Sequence, residues 1–203
     1  MQRLREGVER IAADLLDELA VKGEADVVTD LTAPLTLSVL ADMLGVPRAD
    51  WKRLFEWTNQ MAGTADPDYQ VVADAGQQMR STTEEMFAYF SAMVEERRVE
   101  PRDDIVSVLA NSEVNGAPIP AYELLSYFSL LVVAGNETTR NALSGGLLAL
   151  IENPGEMQKL RKEPGLTAKA AEEVVRWTSP VIQFCRTPVE DFEMHGARVR
   201  AGE

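Results

Sequence analysis

The chain has 203 residues, 45% apolar and 26% charged, proportions that suit a soluble globular protein with room for a sizeable core. Thirty-three acids against 20 Lys and Arg leave a net charge of −13, which argues against nucleic acid or an anionic membrane as the main partner. The single cysteine, Cys185, excludes an intrachain disulfide framework and points to a reducing, cytoplasmic compartment.

The reading is mostly helical, in one domain without repeats or low-complexity linkers. Leu4, Val8, Ile11, Leu15, Leu16 and Leu19 recur at helical spacing up to Lys22-Gly23. Asp26-Val27-Val28 reads as a short extended entry to a helix that has Pro34 in its first turn and closes at Gly45-Val46-Pro47. Further helices are predicted over 48–61 and 69–98, the second carrying Val72, Met79, Met86, Phe90 and Met93 along one side. Asp103-Asp104 opens a short helix through Leu109, and Asn115-Gly116 is a tight-turn signal.

A long central helix starts after Pro120 and reaches about Ile151. Its Leu124–Val133 run is too short, and too polar at its ends, to span a bilayer, and no signal peptide follows Met1. Asn153-Pro154-Gly155-Glu156 reads as a capped helix start, Thr167 as the cap of the next helix, and Ser179-Pro180 as its end. Val181 to Thr187 reads as a strand, and Phe192 to Val199 as a hairpin around Gly196.

Two stretches carry chemistry. Within the central helix, Ala134-Gly135-Asn136-Glu137-Thr138-Thr139-Arg140 places a glycine, an acid and two threonines where none is a natural helical choice. Gly135-Asn136 either ends one helix, with Asn136 capping the next, or distorts a single long one. Apolar residues resuming in phase at Leu143, Leu147 and Leu150 favour the second. Further on, Glu173-Val174-Val175-Arg176 puts a carboxylate and a guanidinium on one helix face, in most helices an ordinary surface pair.

Together, Leu130 to Arg140 and Glu172 to Pro180 resemble, in order and spacing, the haem-thiolate monooxygenases of the cytochrome P-450 superfamily. The resemblance implies a mainly α fold: the middle portion of the P-450 fold, with a long central helix and a short β segment at the carboxyl end. On this reading 1–203 is one partial domain, helical over 1–180 and β-rich over 181–203. The family's amino-terminal helices and the glycine-rich loop bearing the iron-ligating cysteine lie outside it.

By the same resemblance, Ala134 and Gly135 form a groove against haem, Glu137 is the acid of a proton relay, and Thr138 is its hydroxyl, with Thr139 structural. Glu173 and Arg176 form a buried structural ion pair, completed in the family by an arginine from a later segment. Arg186, in Phe184-Cys185-Arg186-Thr187, matches the strand arginine that binds a haem propionate, as a guanidinium fork suits a carboxylate. Leu130, Val133, Val181 and Ile182 are the apolar candidates for substrate contact.

No metal ligand is assigned. Cys185 lacks a glycine-rich loop and reads as an ordinary buried cysteine, and His195 has no second His or Cys near it. The implied activity is hydroxylation of an apolar substrate (steroid, terpenoid or lipid) with O2 and two electrons from a ferredoxin-type donor. The competing expectation is a non-catalytic helical fragment or interaction protein without haem.

Overall fold

The computed structural model describes residues 2–62 and 74–203. Among them the helices are α1 (Gln2–Lys22), α2 (Ala33–Leu44), α3 (Trp51–Ala62), α4 (Ala75–Val99), α5 (Ile105–Ala110), α6 (Ala121–Glu152), α7 (Pro154–Lys162) and α8 (Thr167–Thr178). Two small antiparallel hairpins complete the described chain: β1 (Glu113–Val114) with β2 (Ala117–Pro118), and β3 (Phe192–Met194) with β4 (Ala197–Val199). Asn115-Gly116 and His195-Gly196 turn them with positive φ at both central residues, the geometry that matches strand twist. The mainly α expectation holds.

α6 is the axis of the fold and packs against α2, α3, α4 and α8. It runs unbroken from Ala121 to Glu152, which rules out a helix end at Gly135. Its buried ridge is the i, i+4 row Leu124, Phe128, Val132, Asn136 and Arg140. The first three fill the apolar core beside Leu37, Leu40, Leu44, Leu54, Met86, Phe90 and Val106, with Phe90 stacked on Phe128 at 5.1 Å. The last two are polar. The leucines expected to resume the core behave differently: Leu143 is exposed, and Leu147 and Leu150 are only half-buried.

The apolar stretch Val27–Leu44 meets the length and hydropathy of a bilayer span, but it is partly core, with Leu37, Leu40, Ala41 and Leu44 buried. α8 lies on the other end of α6, where two glycines let it approach. A Cβ at Gly146 would stand 2.6 Å from Val174 Cγ1, and one at Gly145 would stand 2.8 Å from Thr178 Cγ2. This close approach explains the glycine pair better than flexibility does.

Several local expectations are corrected. The Asp26 carboxylate accepts from the amides of Val28 and Thr29 at 2.8 and 2.9 Å, so it caps a π-helical turn, Val27–Thr32, instead of leading an extended entry. Asp74 caps α4 through Gln77; Tyr69, Val72 and the rest of the expected start of that helix lie outside the described residues. Asn153 donates back to Ala149 and gives α7 no side-chain cap, while Thr167 donates to Pro164 and Leu166 occupies the cap position of α8. Residues 181–187 form no strand. A strand needs a ladder partner, and β3 and β4 pair only with each other.

One buried ionic knot joins three elements. Arg97, at the end of α4, is 1% exposed and donates from Nε to Asp104 at 2.8 Å and from Nη2 to the Gly45 carbonyl at 3.2 Å. Nη1 lies 3.0 Å from Glu96 Oε1, an ion pair without hydrogen-bond alignment. Asp104 also caps α5, accepting from the Ser107 amide at 2.6 Å. Burial pushes its carboxyl up, but the hydrogen bonds from Arg97 and Ser107 outweigh this and hold it below the usual carboxylate range.

Candidate functional site

Opposite its buried ridge, α6 presents a second i, i+4 row: Leu130, Ala134 and Thr138. Leu130 and Ala134 are exposed and Thr138 is half-buried, with Val133 and Glu137 one position back on the same flank. This brings five of the candidate residues onto one uncovered side of a rigid helix. Gly135 sits at its edge, where a Cβ would come within 3.3 Å of Leu40 Cδ1 on α2, so its missing side chain serves the α2 contact as well. Thr138 Oγ1 donates to the Ala134 carbonyl at 2.6 Å, a back-bond that places the hydroxyl beside the row.

Glu137 is held on both oxygens. Oε2 is ion-paired with Arg140 Nη2, and Oε1 accepts from Asn141 Nδ2 at 3.0 Å. Arg140 is buried, and its Nη1 donates to Asn59 Oδ1 of α3 at 3.2 Å. Asn136, fully buried, accepts from Thr36 of α2 at 2.6 Å and donates to Thr58 of α3 at 2.8 Å. It therefore caps nothing and instead ties three helices together. Sequence reasoning missed Asn136, Arg140 and Asn59. The signal for the first two was present: they continue the buried row Leu124, Phe128, Val132 at the same spacing. Nothing local marked Asn59.

The remaining candidates are not gathered here. Glu173 and Arg176 form a bidentate pair at 2.6 and 2.7 Å, but on the exposed face of α8, so the expected burial is absent. α8 turns Val174 and Thr178 toward α6, which leaves the pair on the outer side. Their mutual hydrogen bond lowers the Glu173 carboxyl and raises the Arg176 guanidinium. Val181, Ile182 and Arg186 lie in the irregular segment after α8, exposed, with no hydrogen bond to α6. Arg186 donates to the Cys185 carbonyl at 2.9 Å, with its guanidinium 5.7 Å from the Phe184 ring. Cys185 is exposed, contrary to the buried reading, in an irregular segment whose residues 181–187 are all exposed. Among the described residues no cluster of three His, Cys, Asp or Glu could hold a metal ion.

The profile of the family described as Cytochrome P450 matches residues 2–202. The chain belongs to the cytochrome P450 family. It is 42% identical over 181 residues to a methyl-branched lipid omega-hydroxylase of Mycobacterium bovis, covering 89% of this chain and 42% of that one. It is 36% identical to a steroid C26-monooxygenase of Rhodococcus jostii, covering 98% and 41%. A Mycobacterium marinum cytochrome P450 solved with pseudoionone superposes with a TM-score of 0.90 at 34% identity, covering all of this chain and 49% of that one. The chain thus spans about half the length of the P450s it matches. The family's cofactor is haem, and two of these relatives are named as a hydroxylase and a monooxygenase.

Proposed function

We propose that this chain is the part of a haem-dependent monooxygenase that lines one face of the cofactor and moves protons to it. The open α6 row Leu130–Ala134–Thr138, with Glu137 beside it, is the observation that carries the reading. Ala134 and Gly135 are the two smallest side chains of the row and its edge, so a flat macrocycle can approach the helix backbone there. The Arg186 guanidinium is exposed and has no carboxylate partner among the described residues, which suits a propionate. These residues fit one side of haem; the iron ligand is not among them. When bound, haem supplies the activation of dioxygen and the insertion of one oxygen atom into a C–H bond.

The chain's own part is narrower. Glu137 takes up and passes on a proton at its carboxylate, held by Arg140 and Asn141. Thr138 Oγ1, one residue on, relays it toward the open row after rotating from the Ala134 carbonyl. Leu130, Val133, Val181 and Ile182 offer apolar contact to a substrate and help exclude water. The lipid and steroid hydroxylases among the relatives support a lipid, steroid or terpenoid as that substrate. A ferredoxin-type protein is the proposed electron donor. The exposed free thiol of Cys185 suits a reducing cytoplasm.

The test uses a haem-loaded protein that carries these residues. Glu137→Gln is expected to slow turnover on the order of 10²-fold, the lower end of general acid–base catalysis. Thr138→Ala should leave haem content intact while electrons are lost as peroxide, read as product formed per electron consumed. Unchanged coupling in Thr138→Ala would remove that hydroxyl from the relay.

A second reading, a helical piece that holds no haem by itself, is favoured by the exposure of the only cysteine and of the Glu173–Arg176 pair. The 203-residue chain is expected to give no long-wavelength Soret band when reduced under carbon monoxide. A stoichiometric thiolate-type band that disappears in Cys185→Ser would show the opposite.

A further inference from the structure

We infer that Arg140 is the positioning residue for Glu137 and that Asn59 of α3 anchors Arg140, so that the relay acid is aimed from a second helix. The inference rests on reading Glu137 as the relay acid. A buried guanidinium is costly unless its charge and its N–H groups are met. Here one arm, Nη2, pairs with Glu137 Oε2, and the other, Nη1, donates to Asn59 Oδ1 at 3.2 Å. The fork is planar and rigid, so fixing one nitrogen on α3 sets where the other points.

Glu137 has the opposite character. Its side chain is 27% exposed against 8% for Arg140, and it stands at the border between the buried ridge and the open row. A free glutamate at such a border would sample several rotamers into solvent. With Oε2 on Arg140 and Oε1 on Asn141, both oxygens are fixed, on the residue that precedes Thr138 in the helix. A counterion for Arg140 alone needs no second tether and no place beside the threonine. A proton carrier gains from both, because transfer works only from a carboxylate held in a defined place.

The variants are Arg140→Gln, Arg140→Lys, Asn59→Leu and Glu137→Gln, with the doubles of each against Glu137→Gln, made in a haem-loaded protein carrying these residues. Haem content, melting temperature, turnover and solvent kinetic isotope effect are measured on each. Arg140→Gln is expected to slow turnover ~10- to 100-fold, the range a misplacement of about 1 Å produces, with a raised solvent isotope effect. Arg140→Lys should keep haem loading but not the rate, because an ammonium cannot span both partners. Asn59→Leu should slow turnover in the same direction with the ion pair still present.

The signature is non-additivity: in the Glu137→Gln background, neither Arg140→Gln nor Asn59→Leu should slow the enzyme further. Asn59 and Glu137 should also be coupled in a melting-temperature cycle, although no bond joins them directly. A loaded Arg140→Gln or Asn59→Leu enzyme with unchanged rate and isotope effect overturns the inference, as does slowing that adds to that of Glu137→Gln. Should Arg140→Gln not fold, Asn59→Leu decides by the same criteria. If Glu137→Gln alone leaves turnover untouched, the relay reading itself fails and the inference with it. A surviving thermal coupling would then mark the bridge as structural only.

Discussion

Replacing Asp104 by alanine is expected to lower the free energy of unfolding by about 3–5 kcal/mol, because it strands the Arg97 guanidinium without its principal counterion. Arg97 is 1% exposed, and the side chain of Asp104 is 4% exposed, so water does not compensate the loss. The substitution also removes the cap that accepts the Ser107 amide at 2.6 Å. Against a typical stability of roughly 5–15 kcal/mol, the change is read directly as a shift of the denaturation midpoint at unchanged m-value. Arg97→Met combined with Asp104→Ala should recover part of the loss, since the stranded charge is then gone. The same pair sets an acid limit. The Asp104 carboxyl is depressed in the fold, so its contribution is full above the unfolded value of about 3.9 and is lost as pH falls through the lower folded value.

The second large effect is expected at Gly45. Its φ is +71°, where a side chain costs about 1–2 kcal/mol. A Cβ would also stand 2.2 Å from Asp104 Oδ2, and overpacking of that kind adds about 1–3 kcal/mol. Gly45→Ala should therefore destabilise by about 2–5 kcal/mol in thermal or denaturant unfolding. In an Asp104→Ala background the carboxylate collision disappears and only the Asp104 Cβ, 2.8 Å away, remains close. The cost of Gly45→Ala should then shrink, a non-additivity that identifies the shared knot. Equal costs in both backgrounds would show that the carboxylate collision contributes nothing to the effect.

Legibility in the sequence followed the range of the cause. α2, bounded by Pro34 and Gly45, and α6, with its long periodic pattern, are written in local residues and formed as read. The hairpin at Gly196 likewise rests on two adjacent positive-φ residues. Features that depend on a partner did not follow from local pattern. Residues 181–187 have strand composition but no strand beside them among the described residues, and nothing next to Arg97 in sequence shows that Gly45 and Asp104 close around it. The site divided the same way. Leu130, Ala134 and Thr138 share one flank because helical spacing demands it. The tether from Asn59 to Glu137 through Arg140 exists only because α3 crosses α6 there. The Glu173–Arg176 pair met as expected from i, i+3 spacing, but which face of α8 would be buried was set by the two glycines of α6.

Among the described residues the buried apolar side chains all fall between Ala33 and Val132, while α7 and α8 bury none. Cooperativity is therefore uneven along the molecule. The amides of α2, α4 and the first half of α6 can exchange with solvent only when the core comes apart, so they report the global free energy. Beyond Gly146, the chain is held by the glycine-mediated seat of α8 and by surface pairs, so its amides can exchange through smaller openings that leave the core intact. The boundary between these regimes lies inside one helix. The first half of α6 belongs to the slower-exchanging part of the protein and its last turns to a faster one. The Glu137–Thr138 segment stands close to the point where rigidity begins to fall away.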